Sequence, residues 1–469
     1  MARKKKVYPD VTITGIADKG MAVGRDPEGV VYFVQGAVPG DVVDVLVLRK
    51  KSSYRKGIVS EFKKYSDERV KPFCEHFGMC GGCKWQDLGY QSQLKYKEKV
   101  VTDAFSRLAG ITIGESRPIM GCKNTEHYRN KMEYTFSSRR WVSQEELDKD
   151  GEVNFGQAVG FFKAGQFDKI VPITKCFLQE DLTNQIRNYI DEVAQEKEWT
   201  YYNIKEHHGF LRNLRIRNAT TGEWMVIVVF AEDHNEQIEY LMSAIKKKFP
   251  EITSLSYIVN KKWNDTINDQ EVITYSGKDS INENLGHIKY RIGTKSFFQT
   301  NTEQAKLLYD QIVEIGQFQK DDIVYDLYTG LGSIALYVAD KCQKVIGIEE
   351  IKEAIDDANL NKDLNDIDNA YFEVGDVKDQ FNGHFISKYG KPDVIIVDPP
   401  RPGLHADVVK TIYDSNTPKI VYVSCNPSTQ ARDISLLSDK YNVDILQPVD
   451  MFPHTHHIEN IALLTIKPQ

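Results

Sequence analysis

Cys425 closes the apolar run KIVYVSC and stands directly before Asn426-Pro427. Apolar, β-branched and aromatic residues predict a strand, and Asn-Pro predicts its end, with a helix starting at Ser428 or Thr429. A thiol at that spot is either a small buried hydrophobe or a nucleophile presented at the edge of a sheet. Other apolar runs end in acids. VYDLYTGLGS carries Asp326 followed by Gly330-x-Gly332, KVIGIEE ends with Glu349, FEVGD with Asp376, and VIIVDPPR carries Asp398. The glycines let a ligand approach a strand-to-helix turn closely, a feature shared with NAD enzymes. The acids separate the two cases. S-adenosylmethionine (SAM) brings a cationic sulfonium and an amino group, whereas NAD brings a pyrophosphate that asks for a cradle of donors. Glu349 suits ribose hydroxyls and Asp376 an adenine edge, although each acid alone also suits a helix N-cap.

A thiol beside a methyl sulfonium points to a particular chemistry. Carbon-5 of uracil is too weak a nucleophile to take the methyl directly. Addition of a thiolate to carbon-6 turns the ring into an enolate whose carbon-5 can attack, and a base then removes the carbon-5 proton so that the thiolate leaves. Cys425 is the candidate nucleophile and Asp398 the acid that holds the uracil. The base comes from MFPHTHHIEN, where Glu459 competes with His454, His456 and His457, and spacing does not choose among the four. The histidines lack partner carboxylates at helical spacing, which argues against a catalytic metal. Methyltransferases acting on exocyclic amines usually carry an aromatic after the Pro-Pro. Arg401 stands there instead, which argues against amine chemistry.

Three of the seven cysteines crowd the stretch CEHFGMCGGCKW as Cys74, Cys80 and Cys83. An odd cysteine count, with a basic N-terminus that lacks an apolar signal segment, argues for metal or catalytic use in the cytoplasm rather than for disulfides. Gly81 and Gly82 allow the tight turn that lets Cys80 and Cys83 face one centre. With a fourth thiolate, from Cys122 or Cys176, the set suits zinc or a 4Fe–4S cluster. The spacing is not that of radical enzymes, so a structural or RNA-orienting cluster is expected.

These residues need a scaffold, and 469 residues are enough for several domains. From residue 291 short apolar strands alternate with helices, which predicts a doubly wound, mostly parallel sheet over 291–469. Residues 65–290 mix strands and helices as an α+β unit. It holds the cysteines near its start, an exposed polar loop RRWVSQEELDKDGEVNFG, and a helix over 91–108 that packs on the catalytic domain. Residues 1–64 alternate in strand fashion between glycine turns, which predicts a five-stranded barrel. That segment holds thirteen Lys and Arg against seven Asp and Glu, although the whole chain carries a net charge of −7. A basic module on an acidic body fits an RNA partner, because only the contact face must neutralise phosphate. No apolar run reaches the length of a membrane span.

GIADKGMAVGR, VYFVQGAVPGDVV and the basic hairpin at residues 50–56 resemble a TRAM domain, an OB-like RNA-binding barrel. FFQTN (297–301), DLYTGLG, DPPRPGL, VYVSCNPSTQARD and MFPHTHHIEN together resemble the RNA uracil-5-methyltransferase family. With the barrel and the cysteines, the whole chain resembles the branch acting on 23S ribosomal RNA. The resemblance implies an α/β architecture: a Rossmann-like SAM-dependent methyltransferase domain preceded by the barrel and a central α+β iron–sulfur domain. It implies Cys425 as nucleophile and Glu459 as the proton-abstracting base. It implies Gln299, Tyr328, Ser333, Glu349, Asp376 and Asp398 as SAM or uracil contacts, and Cys74, Cys80, Cys83 and Cys176 as 4Fe–4S ligands. Tyr328 stands where Phe is usual and Ser333 where Asn is frequent. HYRNKMEY (127–134) resembles the family's RNA-facing segment, with Arg129 and Lys131 in reach of phosphate. The expected activity is methylation of carbon-5 of a 23S rRNA uridine, flipped out of its stack, by a monomeric cytoplasmic enzyme. The T-loop of tRNA is the close alternative, disfavoured because enzymes of that group usually lack the barrel and the cluster. A non-catalytic iron–sulfur RNA-binding protein is the other, opposed by Cys425, Glu459, Asp398 and Gln299 occurring together.

Overall fold

The computed structural model describes residues 6–148 and 153–468. Arg3, Lys4 and Lys5 of the basic segment, and residues 149–152 of the polar stretch, lie outside the described residues. Five strands close into the expected barrel in the order β1-β2-β3-β5-β4: β1 (Val7–Ile16), β2 (Ala22–Arg25), β3 (Val31–Gln35), β4 (Val42–Lys50) and β5 (Tyr54–Lys64). Alternation drives closure, since Val11, Ile13, Tyr32, Val34, Val43 and Val45 all meet in one buried core.

The next elements do not stay with the central unit. Helix Tyr90–Asp103, prolonged by a π turn over Ala104–Leu108, buries Val101, Ala104 and Phe105 in the core of the C-terminal domain. β6 (Ile113–Ser116) then pairs in parallel with the edge of the C-terminal sheet. A division at 65–290 assigns these residues to the centre, but their apolar side chains find partners in the C-terminal sheet.

The central unit is a seven-stranded sheet in the order β13-β12-β11-β10-β7-β8-β9. Its strands are β7 (Lys131–Ser137), β8 (Ala158–Phe162), β9 (Ile170–Pro172), β10 (Leu211–Asn218), β11 (Trp224–Phe230), β12 (Ile252–Val259) and β13 (Ile273–Gly277). Helices Asp181–Glu196 and Asn235–Lys248 cover one face, through Ile186, Ile190, Leu241 and Ile245. Within the stretch read as an exposed loop, Gln144–Leu147 form a helical turn, stabilised by a capping box of Ser143 and Glu146. A hairpin of β14 (Ser280–Leu285) and β15 (Ile288–Gly293) joins the C-terminal core through Ile281, Leu285, Tyr290 and Ile292.

The C-terminal sheet has eight strands in the order β18-β17-β16-β19-β20-β22-β21-β6. They include β16 (Ile323–Leu327), β17 (Lys344–Glu349), β18 (Ala370–Val374), β19 (Val394–Val397), β20 (Lys419–Ser424), β21 (Tyr441–Val449) and β22 (Glu459–Ile466). β16 to β20 pair in parallel, and their near-continuous apolar runs reflect cover on both faces. β22 enters antiparallel to β20 and β21 antiparallel to β22. The winding reverses between β16 and β19, and the crevice at the carboxyl ends of such a pair is where α/β sheets bind ligands. Among the described residues no helix is long and apolar enough to cross a membrane.

Candidate active site

Register brings the thiol near the carboxyl. Ser424 pairs with Asn460 at the end of the β20–β22 ladder, so Cys425 follows directly where Glu459 begins β22, near enough for Glu459 to act on the thiol. Asn426 then caps helix Pro427–Ser435, accepting from Ser428 N at 3.2 Å. Pro427 occupies the first turn, where its missing N–H costs nothing. The helix therefore starts at Pro427, earlier than Ser428 or Thr429, and the sharp exit leaves Cys425 half-buried at the crevice.

Two residues that the motif reading passed over hold this geometry. Gln430 Nε2 donates to the carbonyls of Tyr422 at 2.8 Å and Asn460 at 3.1 Å, clamping β20 to β22. Asp433 accepts from Leu404 N at 2.7 Å and from the Tyr422 hydroxyl at 2.8 Å, fixing the loop that carries Asp398 and Arg401. Their sequence signal is faint: polar residues in VSCNPSTQARD at helix positions that turn out to be buried.

Acidic groups crowd the crevice. Glu459 is 6% exposed, and burial together with the neighbouring Asp398 pushes its carboxyl well above the usual range, against the pull of Arg401. Burial pushes Asp326 and Asp398 up to about 7. Cys425 is pushed up to about 11 by burial and by Glu459 and Asp398. Burial is the larger cause throughout, and Asp398 adds to it at Asp326, Cys425 and Glu459; an acidic crevice of this kind favours a cationic ligand. One oxygen of Asp326 accepts from Thr329 Oγ1 at 2.6 Å and Ala335 N at 3.1 Å, while the other is buried without a partner. A buried acceptor lacking a donor fits the cationic end of SAM.

The other predicted contacts, Gln299 apart, lie at this turn and at the neighbouring strand ends. Tyr328 has φ 68° and its N–H donates to Ile348 O at 3.0 Å, which makes the turn tight. Glu349 accepts from Gly330 N at 3.2 Å and Ile351 N at 3.1 Å. Gly330 has φ +58°, and a Cβ there would meet nothing within 4 Å, so the crevice is open at that point. Ser333 Oγ accepts from the Tyr309 hydroxyl at 2.9 Å. Asp376 caps helix Val377–Gln380, accepting from Lys378 N at 2.9 Å, and lies close enough to Tyr328 to raise it. Gln299 is half-buried before helix Thr302–Gly316, and its carbonyl accepts from Asn130 Nδ2 at 2.9 Å.

Geometry divides the four base candidates. His454 is turned away, with its Nδ1 at 3.2 Å from Gln93 Nε2. Burial lowers His454 to about 4, His456 to about 3 and His457 to about 4. His456 and His457 line a cleft of about 110 Å³ beside Cys425, together with Trp85, Arg401 and Pro427. Glu459 lies close enough to Cys425 to raise the thiol, after burial.

Cys74, Cys80, Cys83 and Cys176 line one cavity of about 310 Å³. Cys122 lies elsewhere and donates from Sγ to Asp450 O at 3.0 Å. Burial pushes Cys80 up to about 11 and Cys83 up to about 12, and raises Cys74 and Cys176 as well. Among the described residues no three His, Cys, Asp or Glu side chains converge to hold a single metal ion. Four thiols around a space suit a multi-iron cluster, in which each iron takes its own thiolate. Lys131, partly exposed, pairs with Glu133 at 2.7 Å in the wall of this cavity. Arg129 lies over the Phe452 ring at 5.2 Å.

Comparison with known proteins gives the class first. Sheet order, glycine turn and acidic crevice define a SAM-dependent methyltransferase. The Pyrococcus abyssi tRNA (uracil-54, C5)-methyltransferase, solved with S-adenosyl-L-homocysteine, matches at a TM-score of 0.74 and 28% identity over 97% of this chain and 99% of its own. Residues 219–467 match the family model described as tRNA (Uracil-5-)-methyltransferase, and residues 7–59 match the TRAM domain. An uncharacterised RNA methyltransferase of Bacteroides thetaiotaomicron is 48% identical over 455 residues, covering 96% of this chain and 100% of that protein. Its counterpart in Porphyromonas gingivalis is 45% identical over 461 residues, covering 96% and 98%. The chain belongs to the RNA uracil-5-methyltransferase family and is an RNA methyltransferase. One expectation changes. A tRNA enzyme matched over nearly all of both chains removes the barrel as an argument against a tRNA substrate.

Proposed function

We propose that this methyltransferase modifies carbon-5 of a uridine through a covalent adduct on Cys425, as a cytoplasmic monomer. Cys425 Sγ, deprotonated, adds to carbon-6 of the uracil held by Asp398. Carbon-5 then takes the methyl group of SAM, which leaves as S-adenosylhomocysteine. Glu459 accepts the carbon-5 proton, and the electrons of that C–H bond re-form the ring double bond as the carbon–sulfur bond breaks. The observation carrying this reading is the register that brings Cys425 near Glu459 beside an acidic crevice. Positive charge on the bound sulfonium would lower both groups toward their reactive forms. Cys74, Cys80, Cys83 and Cys176 would hold a 4Fe–4S cluster whose contribution is to order the loops around it.

The motif set with the cysteines supports 23S ribosomal RNA as the substrate. A tRNA T-loop uridine is the second reading, supported by the likeness to the Pyrococcus enzyme over 97% of this chain. Incubation with SAM and 5-fluorouridine-substituted RNA should trap an adduct, because fluorine cannot leave as a proton. Cys425→Ala should bind the RNA and trap nothing. Glu459→Gln should accumulate adduct on ordinary uridine RNA, since only release is blocked. Absence of any adduct while RNA binding persists would sink the covalent reading. Mapping 5-methyluridine in rRNA and tRNA of a deletion strain decides the substrate.

A further inference from the structure

The cleft beside Cys425 is not walled by the catalytic domain alone. Ala17, Lys19 and Gly20, in the turn between β1 and β2 of the barrel, line it opposite Arg401 and His456. The turn is shaped for that place. A Cβ on Gly20 would stand 2.5 Å from the Cβ of His456, and the residue has φ +73°, so glycine alone permits the approach. The Gly20 carbonyl accepts from Trp85 Nε1 at 3.3 Å, and the Lys19 carbonyl from Lys84 Nζ at 3.2 Å. Lys19 has φ 63° and ψ 14°, a left-handed conformation uncommon for a residue with a side chain. The two carbonyls hold this turn, beside the packing of Ile16 and Val38 against Trp85, and Lys19 is exposed at the rim.

A cleft of about 110 Å³ admits a planar base while the ribose and its phosphates stay at the mouth. Lys19 from the barrel and Arg401 from the catalytic loop line that cleft, and Lys84 from the cysteine loop, its Nζ on the Lys19 carbonyl, stands behind the turn. Lys84 and Arg401 both lie close enough to His456 to lower it, after burial has done most. We propose, resting on the uridine reading above, that Lys19 is a positioning residue that holds the phosphate flanking the inserted uridine. The barrel then takes part in the chemical step instead of serving only as a tether. A tether contact acts on bound RNA in every state and changes the half-saturating concentration. A contact completed only with the base inserted changes the rate at saturation.

The test is single-turnover adduct formation on 5-fluorouridine RNA at saturating SAM. Lys19→Asn removes the charge and tolerates the left-handed backbone. Its rate at saturating RNA should fall about tenfold, the scale of one charge-assisted hydrogen bond, with melting temperature and SAM affinity unchanged. Lys19→Arg should recover most of the rate. A Lys19→Asn rate within about twofold of the unaltered protein, whether or not half-saturation shifts, overturns the proposal and leaves the uridine reading standing. No adduct with the unaltered protein sinks both.

Discussion

Asp326 and Asp398, pushed up to about 7, make cofactor binding depend on pH in a definite direction. A carboxyl raised on folding contributes stability below its unfolded pKa of about 3.9 and loses it as pH rises through the folded value. In the free protein both acids are therefore partly protonated at neutral pH, and a sulfonium must displace those protons. SAM affinity should climb between pH 6 and 8, by up to about tenfold per pH unit for each proton released. S-adenosylhomocysteine keeps the ammonium but lacks the sulfonium, so its affinity should climb less. Calorimetric titration in buffers of different ionisation enthalpy counts the protons, and parallel pH profiles for the two ligands would contradict the argument. Much of this was legible in the sequence, because a thiol or acid at the end of an apolar run is a local signal. The unpartnered oxygen of Asp326 was not, since its isolation depends on everything packed around it.

At the scale of elements, the loop ahead of β22 is held by a buried ion pair. Lys97 Nζ meets Asp450 Oδ1 at 2.6 Å, with the side chains 1% and 0% exposed. The Tyr90 hydroxyl donates to Asp450 Oδ2 at 3.0 Å, and Lys97 Nζ donates also to Phe452 O at 3.0 Å. Helix Tyr90–Asp103 is thereby fastened to the segment leading into Glu459. Burial drives the Lys97 ammonium down and Asp450 draws it up, so the pair stands only while both members are present. Lys97→Met should cost about 3–5 kcal/mol by stranding a buried carboxylate. Adding Asp450→Asn should recover part of that loss. Denaturant unfolding of the single and double variants measures the coupling, and strictly additive losses would count against the pair. The helix was legible at 91–108 because its pattern is local. Its ionic partner lies 353 residues away in sequence, beyond any periodicity. The edge strand β6 escaped for the same reason, as did the antiparallel order of β20, β22 and β21.

At the scale of the molecule, barrel and α/β sheet each announce themselves by alternation, but nothing local shows how the bodies meet. They meet at the residues following Cys83. The N–H groups of Lys84 and Trp85 donate to His454 O at 2.8 and 3.1 Å, while their side chains hold the barrel turn at Lys19 and Gly20. The ring of Phe73 stands edge-on to His454 at 5.1 Å. One short cysteine-bearing loop thus braces both the barrel and the segment carrying His456, His457 and Glu459. Loss of the proposed cluster should therefore loosen the active site without unfolding the sheet beneath it. Cys83→Ser should lack the visible absorbance of an iron–sulfur protein. Its amide exchange should quicken over residues 17–20 and 451–457, and its adduct yield should fall. Exchange over the β14–β15 hairpin, packed in the C-terminal core, should stay as before. If absorbance is lost while exchange at 17–20 and 451–457 is unaltered, the brace is carried by the protein alone, and the cluster serves some purpose other than ordering the catalytic cleft.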